Sequence, residues 1–278
     1  MFNLDPAPQY RLARPPLAQA LAQVRFPLIG KLRTFEGITP LQDALTIDFP
    51  YMERVVATGV NLSPGGVEVQ PEQEISWHLT DDEDRLVIVN SNSITLSLGV
   101  QYSGNKDFLD RFGRIIAVAQ QSYSLRRCDQ LGVRYLDVVP DVGDDQGRWR
   151  NWFQDAIVGW AATEIVRGDT LLNASVSQIQ MSSPAVGDLS IMPADVQGVV
   201  RHGVAPQGSV APGFPPVQFH DRSFFLDMDL FVPGRQEFEV ERIIRQVAVL
   251  HSQIDRFFRW SLTDEGEKYF GLEEVEVE

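Results

Sequence analysis

The chain reads as an α+β protein: a tandem pseudo-repeat of strand, helix, three strands and long helix, forming a continuous antiparallel sheet with the long helices on one face. Three observations predict this. Segments of the first half return in the second: Gln23-Val24-Arg25-Phe26 is echoed by Gly132-Val133-Arg134-Tyr135, and Arg114-Ile115-Ile116 by Arg242-Ile243-Ile244. Two long stretches, 105–124 and 237–260, place apolar residues three and four apart, the period of an amphipathic helix. Shorter stretches alternate with period two, the mark of strands covered on one side. A repeat predicts one pseudo-symmetric body built from two halves, 1–127 and 128–278.

The elements follow in order. Pro15-Pro16 closes an irregular arm, and residues 17–27 form a strand in which Val24 and Phe26 flank Arg25. Thr39-Pro40 reads as an N-cap with proline at the first helical position, opening a helix over 40–56 with a break near Pro50. Residues 59–73, with Ser63-Pro64-Gly65-Gly66 among them, read as an exposed loop. Strands over 74–80, 85–90 and 94–102 make a meander around a charged tip at 81–84 and a turn at Ser91-Asn92-Ser93. The first long helix carries Phe108, Phe112, Ile115, Ile116 and Ala119 on one face.

The second half begins with a strand over 131–139, then a helix over 149–163 marked by Trp149, Trp152, Phe153, Ile157 and Trp160. Strands are expected at 171–182, 187–192 and 196–204. Four prolines and two glycines over 205–219 mark an irregular exposed insertion. A strand over 223–232 ends at Pro233-Gly234, and the last long helix presents Val240, Ile243, Ile244, Val247, Leu250, Ile254 and Phe257. Thr263 then caps a short helix. Each half thus has one long helix to cover its strands, and joining them removes an open sheet edge. The arrangement resembles the saddle of TATA-binding-protein-like domains in topology alone, which carries no function.

Composition narrows the function classes. The chain has 278 residues, 44% hydrophobic and 22% charged, as in globular proteins. No apolar run approaches the roughly 18–20 residues that span a bilayer, and the N-terminus lacks the pattern of a secretory signal. A cytoplasmic protein with no membrane association is expected. Cys128 is the single cysteine, which excludes an intramolecular disulfide and a multi-cysteine zinc site. The net charge is −14, concentrated after residue 128, and it repels phosphate backbones at long range, so nucleic-acid binding is disfavoured. Arg11 with Arg14, or Arg126 with Arg127, either forms a small basic patch or ends an element in solvent.

No phosphate loop, dinucleotide fingerprint or His-Glu-x-x-His motif is present, and no catalytic residues, metal or cofactor are assigned. His78, His202, His220 and His251 are far apart in sequence, and His220-Asp221 reads as a ligand pair or as a turn hydrogen bond. The candidate ligand-binding residues are Asp227, Asp229 and Arg134. Asp227 and Asp229 stand two apart on a strand and therefore share a face, where they can act as acid and base or hold a hard cation. Arg134 and Asp137 are candidate neighbours. The plain alternative is a face open to water. Cys128 is either a nucleophile tuned by Arg126, Arg127 and Asp129 or a packing residue. The acidic tip at 81–84 lacks the glycine and distal glutamate of a calcium loop. Trp149, Trp152 and Trp160 line a pocket or pack a core.

Two segments carry a family resemblance: Pro15-Pro16-Leu17 through Ala20-Leu21 to Val24-Arg25-Phe26, and Leu250-His251 through Ile254-Asp255-Arg256-Phe257-Phe258 to Leu262-Thr263-Asp264-Glu265-Gly266. They resemble the ends of a sporadically distributed bacterial family of uncharacterised proteins of about this length. The resemblance implies a full-length match and, through the family's patchy occurrence, an accessory locus of defence or toxin–antitoxin type. It carries no catalytic residues. Asp255 and Arg256 are expected on the solvated side of their helix. The function expected is a non-catalytic interaction or regulatory protein that meets another protein, or a second copy of itself as a homodimer, through its sheet face or long loops. The alternative is a small-molecule-binding protein or enzyme with a pocket between sheet and helices.

Overall fold

The computed structural model describes all residues except 1–3, 5–8, 64–65, 84, 143–146, 167–171, 184–195, 212–215 and 276–278, and leaves aside the side chains of 57–63 and 66–73. From the N-terminus the elements are β1 (Tyr10–Leu12), β2 (Leu17–Arg25), a 3-10 turn (Gly30–Arg33), α1 (Phe35–Leu45), β3 (Tyr51–Ser63), β4 (Gly66–Thr80), β5 (Leu86–Asn90), β6 (Ser93–Leu98) and α2 (Asn105–Tyr123). There follow β7 (Arg127–Pro140), α3 (Trp149–Trp152), α4 (Asp155–Val158), β8 (Ser175–Ser183), β9 (Val196–Ala205), β10 (Val210–Ala211) and β11 (Val217–Gln218). The chain closes with β12 (Ser223–Glu237), α5 (Val240–Ser261), α6 (Asp264–Phe270) and β13 (Leu272–Glu274). Nine strands hydrogen-bond in the order β3-β4-β5-β6-β2-β7-β12-β9-β8. The protein is therefore mixed α and β with a large antiparallel sheet, as its sequence predicts. No helix among the described residues is long and apolar enough to cross a membrane.

The chain divides into two compact units that interleave along the sequence. The α2 unit comprises Leu21–Gly132 and Pro233–Val247; the β8 unit comprises Met1–Ala20, Val133–Val232 and Ala248–Glu278.

In the α2 unit the predicted helix over 40–56 is corrected to α1. Thr34, not Thr39, is the cap: its side chain accepts from the Gly37 N–H at 3.2 Å. Thr39 instead bonds back to the Phe35 carbonyl at 2.9 Å. Pro40 sits inside α1, where Ile38, Leu41 and Leu45 are buried. From Tyr51 onward the chain is strand. The predicted loop over 59–73 is likewise corrected: β3 and β4 pair from Tyr51↔Thr80 to Ser63↔Gly66, with one irregularity between Thr58 and Val60. The physical reason is an alternation that the Ser-Pro-Gly-Gly turn signal overshadowed, since Val60 pairs with Val69 and Leu62 with Val67. The unit thus has four strands between its two helices, where three were predicted. At the charged tip Asp82 and Glu83 are exposed, whereas Asp81 is buried and accepts from the Glu83 and Arg85 N–H groups at 2.9 and 3.0 Å while pairing with the Arg85 side chain. α2 matches its prediction within one residue and buries Phe108, Phe112, Ile115, Ile116 and Ala119.

In the β8 unit the predicted helix over 149–163 is corrected to short pieces. Phe153 bridges to Leu262, and Gln154 donates from its backbone N–H to Ser261 and from its side chain to Leu262, each at 2.8 Å. These bonds hold 153–154 extended and interrupt the helix. Trp149 and Trp152 are buried against Phe224 and Tyr269 respectively, whereas Trp160 is exposed. β9 pairs with β8 over nine consecutive positions; the strand predicted over 187–192 lies outside the described residues. The insertion over 205–219 holds the small antiparallel pair β10–β11, and Ala211 and Phe219 join Leu136, Ala205 and Phe225 in a buried cluster. Most of its described residues are exposed, as expected, while Ala211 and Phe219 anchor it. β12 does not end at Pro233-Gly234: it runs on to Glu237, with Gly234 at φ +101°, a value open to glycine. Thr263 caps α6 as predicted, accepting from the Gly266 N–H at 3.1 Å.

Candidate functional site

The β8 unit brings two of the three predicted ligand residues together. Asp227 on β12 is 2% exposed. Arg134 on β7 grips it with two bonds, Nε to Oδ1 at 2.6 Å and a terminal nitrogen to Oδ2 at 3.0 Å. Arg201 lies directly opposite Asp227 in the β9–β12 register and donates to Oδ2 at 3.1 Å. Arg201 also donates through Nε to Gln178 Oε1 of β8 at 2.9 Å. The result is a polar row across four strands, Gln178–Arg201–Asp227–Arg134. The expectation of a face open to water is thus corrected at Asp227, because paired guanidiniums compensate the burial of its charge. Asp229 is half-buried and is not part of this row. Arg201 was missed from sequence because its role depends on strand register, which a single strand does not reveal.

Asp137, expected beside Asp227, shares its side of β7 with Tyr135. Tyr135 and His251 of α5 are joined by a 2.8 Å hydrogen bond from the phenol oxygen to Nδ1, and His251 Nε2 lies 3.0 Å from Asp255 one turn on. Asp255 is 41% exposed at its side chain, so it is solvated as expected but also orients a buried histidine. Asp137 is 5% exposed. Burial, then repulsion from Asp255 and Asp227, pushes its carboxyl up to about 8. Tyr135, His251 and Asp255 form a chain able to pass a proton, with a carboxylic acid that holds its own proton nearby. Both ring members are buried, and none of the four residues lines the two cavities described below.

The other candidates resolve into structural roles. Cys128 is buried, and burial pushes its thiol up to about 11, which removes the thiolate a nucleophile needs. His220 is exposed. Burial lowers His202 and His78 below the usual histidine range and disfavours their charged forms. Among the described residues no group of three His, Cys, Asp or Glu converges to hold a metal ion.

Two cavities lie in the α2 unit, neither signalled by a motif. One, of about 290 Å³, is lined by Asp48, Phe49, Asp110, Arg111, Arg114 and Ile115 among others. Its arginines are neutralised within the protein, Arg114 by Asp48 at 3.0 Å and Arg111 by Asp107 at 2.8 Å. The other, of about 560 Å³, is lined by Arg33, Thr34, Phe35, Met52, Arg54 and Trp77. It forms where the start of α1 meets β3 and β4. Arg54 lies opposite Trp77 in the strand register. Trp77 is fixed by donating from Nε1 to the Leu32 carbonyl at 2.7 Å, and the 59%-exposed Phe35 meets it edge-on with ring centres 6.1 Å apart. Among the described residues neither Arg33 nor Arg54 has an ion-pair partner. Guanidiniums beside aromatic surface suit an anionic group joined to an apolar one.

No protein-family model matches the chain, and no curated protein matches it.

Proposed function

We propose that the protein is a non-catalytic interaction protein that recognises an acidic segment of a protein partner at the Arg33–Arg54 cavity. The observation that carries this reading is a pair of guanidiniums without ionic partners among the described residues, set around Phe35 and Trp77 in a chain of net charge −14. An acidic side chain would meet the guanidiniums while an adjacent apolar side chain covers Phe35. The enzyme reading has weaker support, because no residue of the proton-passing chain at His251 lines either described cavity. Cytoplasmic location and membership of a bacterial defence or toxin–antitoxin locus belong to the same proposal and rest on the terminal resemblance. So does the tandem duplication, one long helix to each copy, which has the echoed sequence segments as its support.

The test is affinity capture from the native host with the wild-type chain and with Arg33→Glu/Arg54→Glu, followed by binding of the captured partner's acidic peptides. Both substituted residues are exposed, so the fold is expected to persist. Charge reversal should weaken partner binding by at least about 100-fold, since hydrogen bonds to charged groups contribute about 1.5–3 kcal/mol each. Equal capture of the same partner by both chains would sink the proposal.

A further inference from the structure

β8 is a terminal strand of the sheet. One side pairs with β9 from Ser175↔Val204 to Ser183↔Val196 without a break in register, and no described strand lies on its other side. Proteins normally protect such edges with charge, proline or bulges, because a free edge templates pairing with another chain. The sheet's other terminal strand, β3, shows this protection, with Glu53, Arg54 and the irregularity between Thr58 and Val60. β8 shows none. Its sequence, Ser-Val-Ser-Gln-Ile-Gln-Met-Ser-Ser, contains no charge and no proline.

We propose that a second copy of this chain pairs antiparallel along β8, with the two-fold axis at Ile179. A two-fold contact requires a segment to be compatible with its own reverse. Centred on Ile179, the pairing sets Ile179 against its copy, Gln178 against Gln180 and Ser175 against Ser183. Ile179 is 44% exposed and lies opposite the fully buried Val200 of β9, so joining two Ile179 side chains continues an apolar row that otherwise ends in water. Charge also selects this edge. Two copies of a chain with net charge −14 repel, and a nine-residue contact free of charge adds no close like-charge pair.

The experiment uses the full chain. Sedimentation equilibrium should give twice the 31.2 kDa of one chain. Ile179→Lys places like charges face to face and should weaken dimerisation by at least about tenfold, with an unchanged circular dichroism spectrum. Ile179→Cys provides an independent reading. Directly opposed residues in an antiparallel pair have Cα atoms about 4.5–5.5 Å apart, within disulfide range. Mild oxidation should therefore link two chains through Cys at 179, but not through Val176→Cys, whose counterpart across the axis is Ser182. The buried Cys128 does not compete. A monomeric wild type at about 0.1 mM (a 0.1 mM dissociation constant corresponds to about −5.5 kcal/mol), or cross-linking equally efficient at 176 and 179, would overturn the proposal.

Discussion

Two aspartates of the β8 unit show how partners decide the behaviour of a buried carboxyl. Asp227 is buried with Arg134 and Arg201 hydrogen-bonded to its oxygens. Removing such a carboxylate strands two cations, which in buried pairs costs about 3–5 kcal/mol. Asp137 has no ion pair among the described residues; burial, then repulsion from Asp255 on α5 and Asp227 on β12, raises its carboxyl to about 8. The consequence for pH has a definite sign. The folded chain holds this proton more tightly than the unfolded chain, so the stabilisation is complete below about pH 4 and is lost as pH rises through 8. Each pH unit in that window removes up to about 1.4 kcal/mol before the surroundings relax. Asp137→Asn, which carries no charge at any pH, should flatten the profile: urea unfolding at pH 9 should show the variant more stable than wild type by a few kcal/mol on this scale, against only about 1.4 kcal/mol at pH 5. A wild type equally stable at both values would contradict the assignment.

At the scale of elements, residues 105–124 announced α2 because five apolar side chains at helical spacing leave one solution. Thr263 announced α6 because a threonine followed by acidic residues is itself the cap. The failures were of another kind. Residues 59–73 contain both a turn signal and a strand alternation, and only pairing with a neighbour decides between them. Residues 149–163 have a helical pattern, but bonds to Ser261 and Leu262, more than a hundred residues away, override it. The candidate site divides the same way. Arg134 and Asp227 were legible as charges on strands; Arg201, and the cavity at Arg33 and Arg54, depend on register and long-range packing. Gly203 exposes one such hidden constraint. Its φ is +152°, and a Cβ there would lie 2.0 Å from the Ser175 carbonyl oxygen of β8. Gly203→Ala should therefore prise the β8–β9 pair apart at that end and lower stability by about 2–3 kcal/mol in urea unfolding. Gly30→Ala, with nothing within 4 Å, is the control and should leave the midpoint within experimental error. Equal midpoints for both variants would mean that β8 yields freely.

For the molecule as a whole, the net charge of −14 makes ionic strength a probe of both proposed contacts, and the two should respond in opposite directions. Copies of the chain repel one another over a distance set by salt, about 10 Å at 0.1 M and 3 Å at 1 M. Pairing along β8 brings no charge into the contact, so salt removes repulsion and takes away no attraction. Recognition at Arg33 and Arg54 depends on attraction between opposite charges at an open cavity, which salt weakens. Raising salt from about 0.05 to 1 M, well past the point where the screening length falls below the size of the contact, should tighten self-association measured by sedimentation while loosening an acidic peptide followed by fluorescence anisotropy. If self-association weakened with salt, the contact between copies would have to be ionic, and the uncharged edge of β8 would not be the surface that makes it.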